Sequence, residues 1–289
     1  MKQEQINIQE AIEENRRKWD DYWRNNLQVK PASKYRLVKY LKRLLKSAGG
    51  GELAVRLMKK EAEGREKILE AGSGSGDIAL RLAEMRKQVY IIDTSFYAVQ
   101  TCAQKAALQG LTIFPVQASI FHLPFKDHSF YLIYNVGVLD HFPLSKRIES
   151  LQEMSRLIPS PGRLVVLTND TRSIIHPLAY KYALKKGKWL LSEKFAIDSL
   201  ANELKSINMN LKLREYSRGF ISQFDFLRFF LPAAPVIQKL FFWCFFLIAL
   251  PFSPLNLLPG YFRISIIENR QGRLRSRPSA TKDEHRYEI

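Results

Sequence analysis

The sequence predicts an α/β protein: a Rossmann-like, doubly wound, mainly parallel sheet, with N-terminal helices and a hydrophobic helical insertion before the last strand. Three observations carry this. From residue 67 onward, short apolar runs alternate with helix-length amphipathic segments. Between the first run and the first helix lies Gly72-Ser73-Gly74-Ser75-Gly76, with a glycine at every second position. The second run ends in an acid, Asp93. Strands spaced by helices of this length imply right-handed crossovers, and so parallel neighbours with helices on both faces.

Taken in order, residues 8–26 (IQEAIEENRRKWDDYWRNN) read as a charged helix with Trp19, Tyr22 and Trp23 along one side. Residues 34–46 read as a second helix after Pro31, with Leu37, Leu41, Leu44 and Leu45 at helical spacing. Lys30 to Lys46 holds seven basic residues and no acidic one, and Gly49-Gly50-Gly51 then breaks the pattern. KILEAG is a strand and DIALRLAEMR a helix. QVYIID is a strand, and SFYAVQTCAQKAALQG a helix ended by Gly110. TIFPVQAS and FYLIYNVG are strands. SKRIESLQEMSRLI is a helix stopped by Pro159, Pro161 and Gly162, and RLVVLTND is a further strand. After Asp170 the pattern loosens. Residues 195–207 read as a helix, LKLREYS as a strand, and YFRISIIENR as the last strand after a very apolar stretch. The expected organisation is an N-terminal helical and basic extension over 1–65 and a core over 66–225. A hydrophobic insertion over 226–262, the last core strand over 263–270 and a disordered polar tail over 271–289 complete it.

The chain has 289 residues, 46% of them hydrophobic, enough for one sizeable domain with additions or for two small ones. The formal charge of +17 is uneven. Residues 68–170 carry nine Lys/Arg and nine Asp/Glu; residues 1–67 carry 17 and ten, and residues 171–289 carry 19 and nine. The glycine-bearing module is therefore no polycation, and nucleic acid is disfavoured as a partner. Two cysteines, Cys102 and Cys244, give neither a disulfide framework nor a CxxC metal spacing. This usage and the polar start MKQEQINIQE, which is no signal peptide, fit a cytoplasmic location.

In an open parallel sheet, ligands bind beyond the carboxyl ends of the strands where the strand order switches. Glycines at 72, 74 and 76 allow close backbone approach and positive φ at a helix N-terminus. A dinucleotide fingerprint needs GxGxxG. Here the third glycine comes one residue early and position 77 is Asp, which disfavours a pyrophosphate and tolerates a cationic head. Asp93, seventeen residues beyond Gly76, can accept hydrogen bonds from a ribose diol. A nucleoside without a diphosphate fits both, as S-adenosylmethionine does. The plainer reading is that the glycines only turn the chain and Asp93 caps the next helix.

These residues resemble the class I S-adenosylmethionine-dependent methyltransferases, especially the small-molecule methyltransferase domain group. The resemblance covers residues 66–170 well and the flanks poorly. Glu70-Ala71-Gly72-Ser73-Gly74-Ser75-Gly76 is similar to the family's E/D-x-G-x-G-x-G loop around the methionine part of the cofactor. Asp93 with Thr94 matches the ribose-binding acid. Ser119-Ile120-Phe121-His122-Leu123-Pro124-Phe125 is similar to a D-A-x-x-L-P-F segment whose acid meets the adenine, but Ser119 replaces that acid. Asn135 to His141 resembles the segment after strand four that faces cofactor and substrate. The resemblance thus implies S-adenosylmethionine as cofactor, with Glu70, Gly72, Ser73, Gly74, Gly76, Asp93, Thr94, Ser119, Ile120 and Asn135 around it. Some family members hold a metal through Glu-x-x-Glu-His. Gly137 stands at the first Glu, so no metal is expected.

His141 and Asp140, just past the fourth strand, are the candidate catalytic residues. His141 could deprotonate an oxygen or nitrogen nucleophile near neutral pH. Its bland alternative is packing and a bond to a backbone carbonyl. His122 and His176 are weaker candidates, and Asp170 either points to the site or caps a helix. Residues 229–262 contain one charge, Lys239. The unbroken part, 235–250, spans about 24 Å as a helix, short of the roughly 30 Å hydrocarbon core. It reads as a lid over an apolar substrate, a patch resting in one leaflet, or buried core or dimer interface. The expected function is methyl transfer to a small, apolar or lipid-like acceptor at the cytosolic membrane surface. The alternatives are a non-catalytic, membrane-associated binding or scaffold protein and, disfavoured by Asp77, a nicotinamide dehydrogenase.

Overall fold

The computed structural model of the chain describes residues 2–25, 49–187, 195–232 and 234–269. The expected helix over 34–46 and the tail from 271 lie outside these residues. The strands are β1 (Lys67–Ala71), β2 (Gln88–Asp93), β3 (Phe114–Gln117), β4 (Leu132–Val136), β5 (Gly162–Asn169), β6 (Leu211–Arg218) and β7 (Phe262–Asn269). They form one sheet in the order β3-β2-β1-β4-β5-β7-β6. The first five run parallel. β7 returns antiparallel between β5 and β6. The order switches between β1 and β4, which leaves a crevice beyond their carboxyl ends.

Side-chain alternation along the strands builds two cores. Ile68, Ile91 and Leu132 face one layer, and Leu69, Ile92 and Ile133 face the other; all six are fully buried. The first layer is covered by helices α2 (Gly50–Glu61), α3 (Asp77–Ala83) and α4 (Phe96–Leu108). Helix α5 (Leu144–Arg156) covers the second through Leu151 and Met154. Helix α1 (Lys2–Asn25) packs against α4. It realises the expected charged helix, with ion pairs such as Arg16–Glu13 and Lys18–Glu14 along it.

The elements after Asp170 depart from the sequence reading. Residues 195–207 are helical only over the short α7 (Ala201–Lys205). Glu215 on β6 accepts from Ser199 Oγ at 2.6 Å and from the Leu200 amide at 3.0 Å, which holds the preceding segment irregular. Two helices were not anticipated. In α2, Gly50 and Gly51 open the helix rather than end a pattern. A Cβ at Gly50 would lie 2.8 Å from the Tyr261 ring, so glycine permits the close approach of β7's leading residue. Met58 of α2 and Ala62 just beyond it are fully buried, so part of the expected 1–65 extension fills the core. Helix α6 (Ile175–Lys185) has no local cap. Its first amides, Ile174 N and Ile175 N, donate to Gln223 Oε1 at 3.1 and 3.3 Å, from far along the chain.

The β6–β7 connection holds a 3₁₀ segment (Ser222–Phe230), helix α8 (Pro235–Ala249) and a second 3₁₀ turn (Ser253–Leu257). The expected boundary at 225/226 falls inside the first of these. α8 occupies the place of the expected hydrophobic insertion, before the last strand. No helix among the described residues is long and apolar enough to cross a membrane.

Candidate functional site

The loop after β1 is built from backbone groups. Gly72 N and Ser73 N both donate to Ile92 O at 2.9 Å, and Gly76 N donates to Ser73 O at 2.8 Å. Gly72, Gly74 and Gly76 sit at φ of 79°, 48° and 65°. A Cβ at Gly72 would meet the Val138 side chain, and one at Gly76 would overlap the Cys102 thiol. Only glycine fits either place. Gly76 is also the residue before α3, so the helix starts directly on the loop.

Asp93 ties this loop to β2. Its Oδ2 accepts from Gly74 N and its Oδ1 from Ser95 N, each at 2.9 Å. With the Thr94 amide these make three donors, which leaves the carboxylate lone-pair capacity for a ligand hydroxyl. Burial raises the Asp93 carboxyl above its usual range, against those same amides, which lower it. Glu70, at the end of β1, is more extreme. Burial pushes it up to about 8, although the Tyr134 hydroxyl and the Ala79 amide favour its charge. Its Oε2 accepts from Ala79 N at 3.2 Å, so it clamps the start of α3 to β1.

These residues open onto a cavity of about 1240 Å³. Single small-molecule sites run to roughly 300–1,000 Å³, so the space is larger than one such site. On the β1–β3 side it is lined by Glu70, Gly72, Ser73, Gly74, Asp93, Thr94, Ser119 and Ile120. On the β4–β7 side it is lined by His141, Asn169, His176, Asp225 and Tyr261. The predicted residues thus fall mostly together. Three do not line the cavity. Gly76 lies behind the loop against Cys102. Asn135 is fully buried and donates from Nδ2 to Ala71 O at 2.8 Å, so it anchors the loop from β4. Asp140 is also buried. Its Oδ2 accepts from Asn169 Nδ2 at 2.8 Å and its carbonyl from Phe195 N at 2.7 Å. Ser119 Oγ accepts from Phe121 N at 3.3 Å and bends the segment after β3 toward the cavity. Asp170 pairs with Arg172 at 3.0 Å and accepts its amide at 2.9 Å, so it closes its own turn rather than facing the cavity.

Sequence reasoning missed the roof. Helix α1 lies over the cavity. The Trp23 ring stands 3.1 Å from where a Gly74 Cβ would be, and Trp19 meets the His141 ring edge-on at 6.0 Å. Ser95 Oγ donates to Asp20 Oδ1 at 2.7 Å, and Arg24 stacks on Tyr97. The aromatic side of this helix was visible in the sequence; what it covers was not. Also missed were Tyr261 and Asp225. Burial, with the charges of Asp140 and Asp225, raises the Tyr261 hydroxyl far above its ordinary value.

Strand order, glycine loop and the acid that ends β2 are those of a class I methyltransferase fold. Residues 68–162 match the family model described as a methyltransferase domain. The uncharacterized methyltransferase YodH of Bacillus subtilis (strain 168) is 31% identical over 118 residues, 40% of this chain and 49% of that protein. The demethylmenaquinone methyltransferase of Deinococcus radiodurans is 30% identical over 108 residues, 37% of this chain and 44% of the relative. The chain thus spans about half the length of these relatives. Among solved structures, the [4+2]-cyclase SpnF aligns with a TM-score of 0.50 and 18% identity, over 76% of this chain and 83% of that one. A protein from echinomycin biosynthesis, described as converting a disulfide bond into a thioacetal group, aligns with a TM-score of 0.51 and 16% identity, over 75% and 80%. Likeness at this level shows the fold alone. Residues 68–162 thus form a methyltransferase domain, and the fold is that of the class I S-adenosylmethionine-dependent methyltransferases.

S-adenosylmethionine is the cofactor of this family, and the residues present fit it. The Ser73 hydroxyl is buried in the loop without a hydrogen-bond partner among the described residues. With the Cβ-free surface of Gly72 and Gly74, it leaves a polar cradle for the amino-acid end, beside Asp93 for the ribose.

Proposed function

We propose that the chain transfers the methyl group of S-adenosylmethionine to a small, apolar or lipid-like acceptor at the cytosolic membrane surface. The observation that carries the cofactor half is the Gly74–Asp93 lock, which presents a carboxylate beside a loop bare of Cβ atoms. The Gly72–Gly76 loop and Ser73 hold the methionine end, Asp93 the ribose hydroxyls, and Ser119 with Ile120 the base. The bound cofactor supplies an electrophilic methyl group on a sulfonium. The protein's own part is alignment, exclusion of water and removal of a proton. Trp19 and Trp23 close the site from solvent. The His141 imidazole accepts the proton from an oxygen or nitrogen nucleophile. Asp140 is a positioning residue: through Asn169 it joins the end of β5 to the turn that carries His141.

The acceptor half rests on the apolar β6–β7 connection, where Val236, Leu240, Leu247, Ile248 and Leu257 are exposed. Calorimetric titration of the full chain with S-adenosylmethionine tests the reading. Binding that Asp93→Ala weakens about 100-fold supports it; no binding by the wild-type chain ends it. Ser119, where the family resemblance leads one to expect an acid, favours one second reading: a non-catalytic, membrane-associated binding protein. Labelled methyl transfer into a lipid extract would exclude that reading.

A further inference from the structure

Of the three elements that follow β5 and β6 on the acceptor side, α6 and the Ser222–Phe230 segment each have a cavity face and an outer face, while no residue of α8 is among those that line the cavity. On α6, His176 is buried and lines the cavity, while Ile174 and Leu178, two residues to either side, are exposed at 70% and 56%. Residues two apart on a helix point in nearly opposite directions. On the Ser222–Phe230 segment, Asp225 lines the cavity and Phe226 is buried, while Leu227 and Phe230 are exposed. Leu227 and Phe230 share one side, because three residues complete a 3₁₀ turn. α6 packs on this segment, and the segment packs on α8, where Val236 and Leu240 are exposed at 78% and 63%.

Side-chain amide hydrogen bonds hold this outward apolar face in place. Gln223 Oε1 fastens the segment to the start of α6. Gln238 Nε2 fastens α8 to it through the carbonyls of Arg228 and Pro232, at 3.2 and 2.9 Å. Asn256 Oδ1 accepts from Ser222 N at 2.8 Å and Ser222 Oγ at 3.0 Å, fastening the second 3₁₀ turn as well. The fasteners Gln223, Ser222 and Asn256 are buried. An apolar surface so pinned from within is a constructed face rather than a loose end. Its charge is one-sided. Residues 171–187 and 218–262 hold seven Lys/Arg and one acid, and that acid, Asp225, is paired with Arg228 at 3.1 Å.

We propose that the face formed by α6, the Ser222–Phe230 segment and α8 seats on an anionic lipid leaflet, with its exposed aliphatic side chains among the acyl chains and its cations at the headgroups. This deepens the functional reading and rests on it. α6 and the Ser222–Phe230 segment, which carry part of the face, also bound the cavity through His176 and Asp225, so seating sets that end against the source of an apolar acceptor. The seating is monotopic, since α8 has only 15 residues. Apolar exposure of this extent marks an interaction surface, and positive charge selects an anionic leaflet over another apolar partner.

The experiment is flotation of the full chain with phosphatidylcholine vesicles, with and without phosphatidylglycerol. Leu178→Asp/Leu240→Asp is run beside the wild type, and each sample is also titrated with S-adenosylmethionine. The expected result is wild-type flotation with the anionic vesicles, lowered but not abolished by salt. The variant should bind about tenfold or more weakly, with cofactor affinity unchanged. Both positions are exposed, so unchanged cofactor binding certifies the variant's fold. Three results overturn the proposal: a wild type that never floats, a variant that floats equally well, or a wild-type dimer that the variant disperses while neither binds vesicles. Vesicle binding without cofactor binding would instead leave the surface standing and remove the methyltransferase reading.

Discussion

The two halves of the cavity are built by opposite means. The β1–β3 half is local: Glu70, the glycine loop and Asp93 lie within two dozen residues, and backbone amides make its bonds. The β4–β7 half is assembled from afar. His141, His176, Asp225 and Tyr261 come from four separate elements, and its clasps are side-chain amides reaching across tens of residues. Backbone-built sites tolerate few substitutions and change little. Side-chain-built sites can change their lining while the fold stays, as an acceptor pocket must when one cofactor serves many acceptors.

The contrast breaks first at Gly76. Valine there must adopt a φ near 65° and overlap Cys102, so stability should fall by about 4 kcal/mol in thermal or denaturant unfolding. Cys102→Ala should recover the steric part and leave the backbone part. Gly76→Val with no loss would show that the loop is not rigid.

The next effect is pH. Burial pushes Glu70 up to about 8 in the fold from an ordinary carboxyl value of 4.5, so its folded pKa is raised. Between those values the folded chain binds more protons than the unfolded one. Stability should therefore be complete below about pH 4.5 for this group and be lost as pH rises through 8, by a few kcal/mol. Denaturation at pH 5 and pH 8 reads it, and Glu70→Gln should flatten the slope.

Third, Asp93→Ala should weaken S-adenosylmethionine about 100-fold, or about 2.7 kcal/mol, by titration. Smallest is the other half. Gln223→Ala strips the first α6 amides of their acceptor and should cost about 1–2 kcal/mol. It should speed amide exchange in α6 while cofactor affinity stays within about twofold. If instead Gln223→Ala disturbed cofactor binding, the halves would not be independent.

The same division decides what the sequence reveals. The strand–glycine–helix–strand–acid order is written in consecutive residues, so fold, loop and Asp93 were legible, as was a last strand after the apolar stretch. α6 was not, because its cap is Gln223. α2 was not, because Gly50 answers to Tyr261, more than 200 positions away. Asn135 and Asp140 have the residue types expected near a ligand. Only their partners, Ala71 O and Asn169, reveal that they brace the walls. The indoles of α1 formed a visible stripe, but a stripe does not name what it covers.

The sulfur wedged behind Gly76 has a practical corollary. Burial pushes the Cys102 thiol up to about 12, so almost none of it is thiolate at neutral pH. The chain's other cysteine, Cys244, is exposed on α8. A maleimide dye added to the unmodified protein will therefore mark a single spot, on the very helix whose surroundings are in question. Its emission colour then tells water from oil without a single engineered residue.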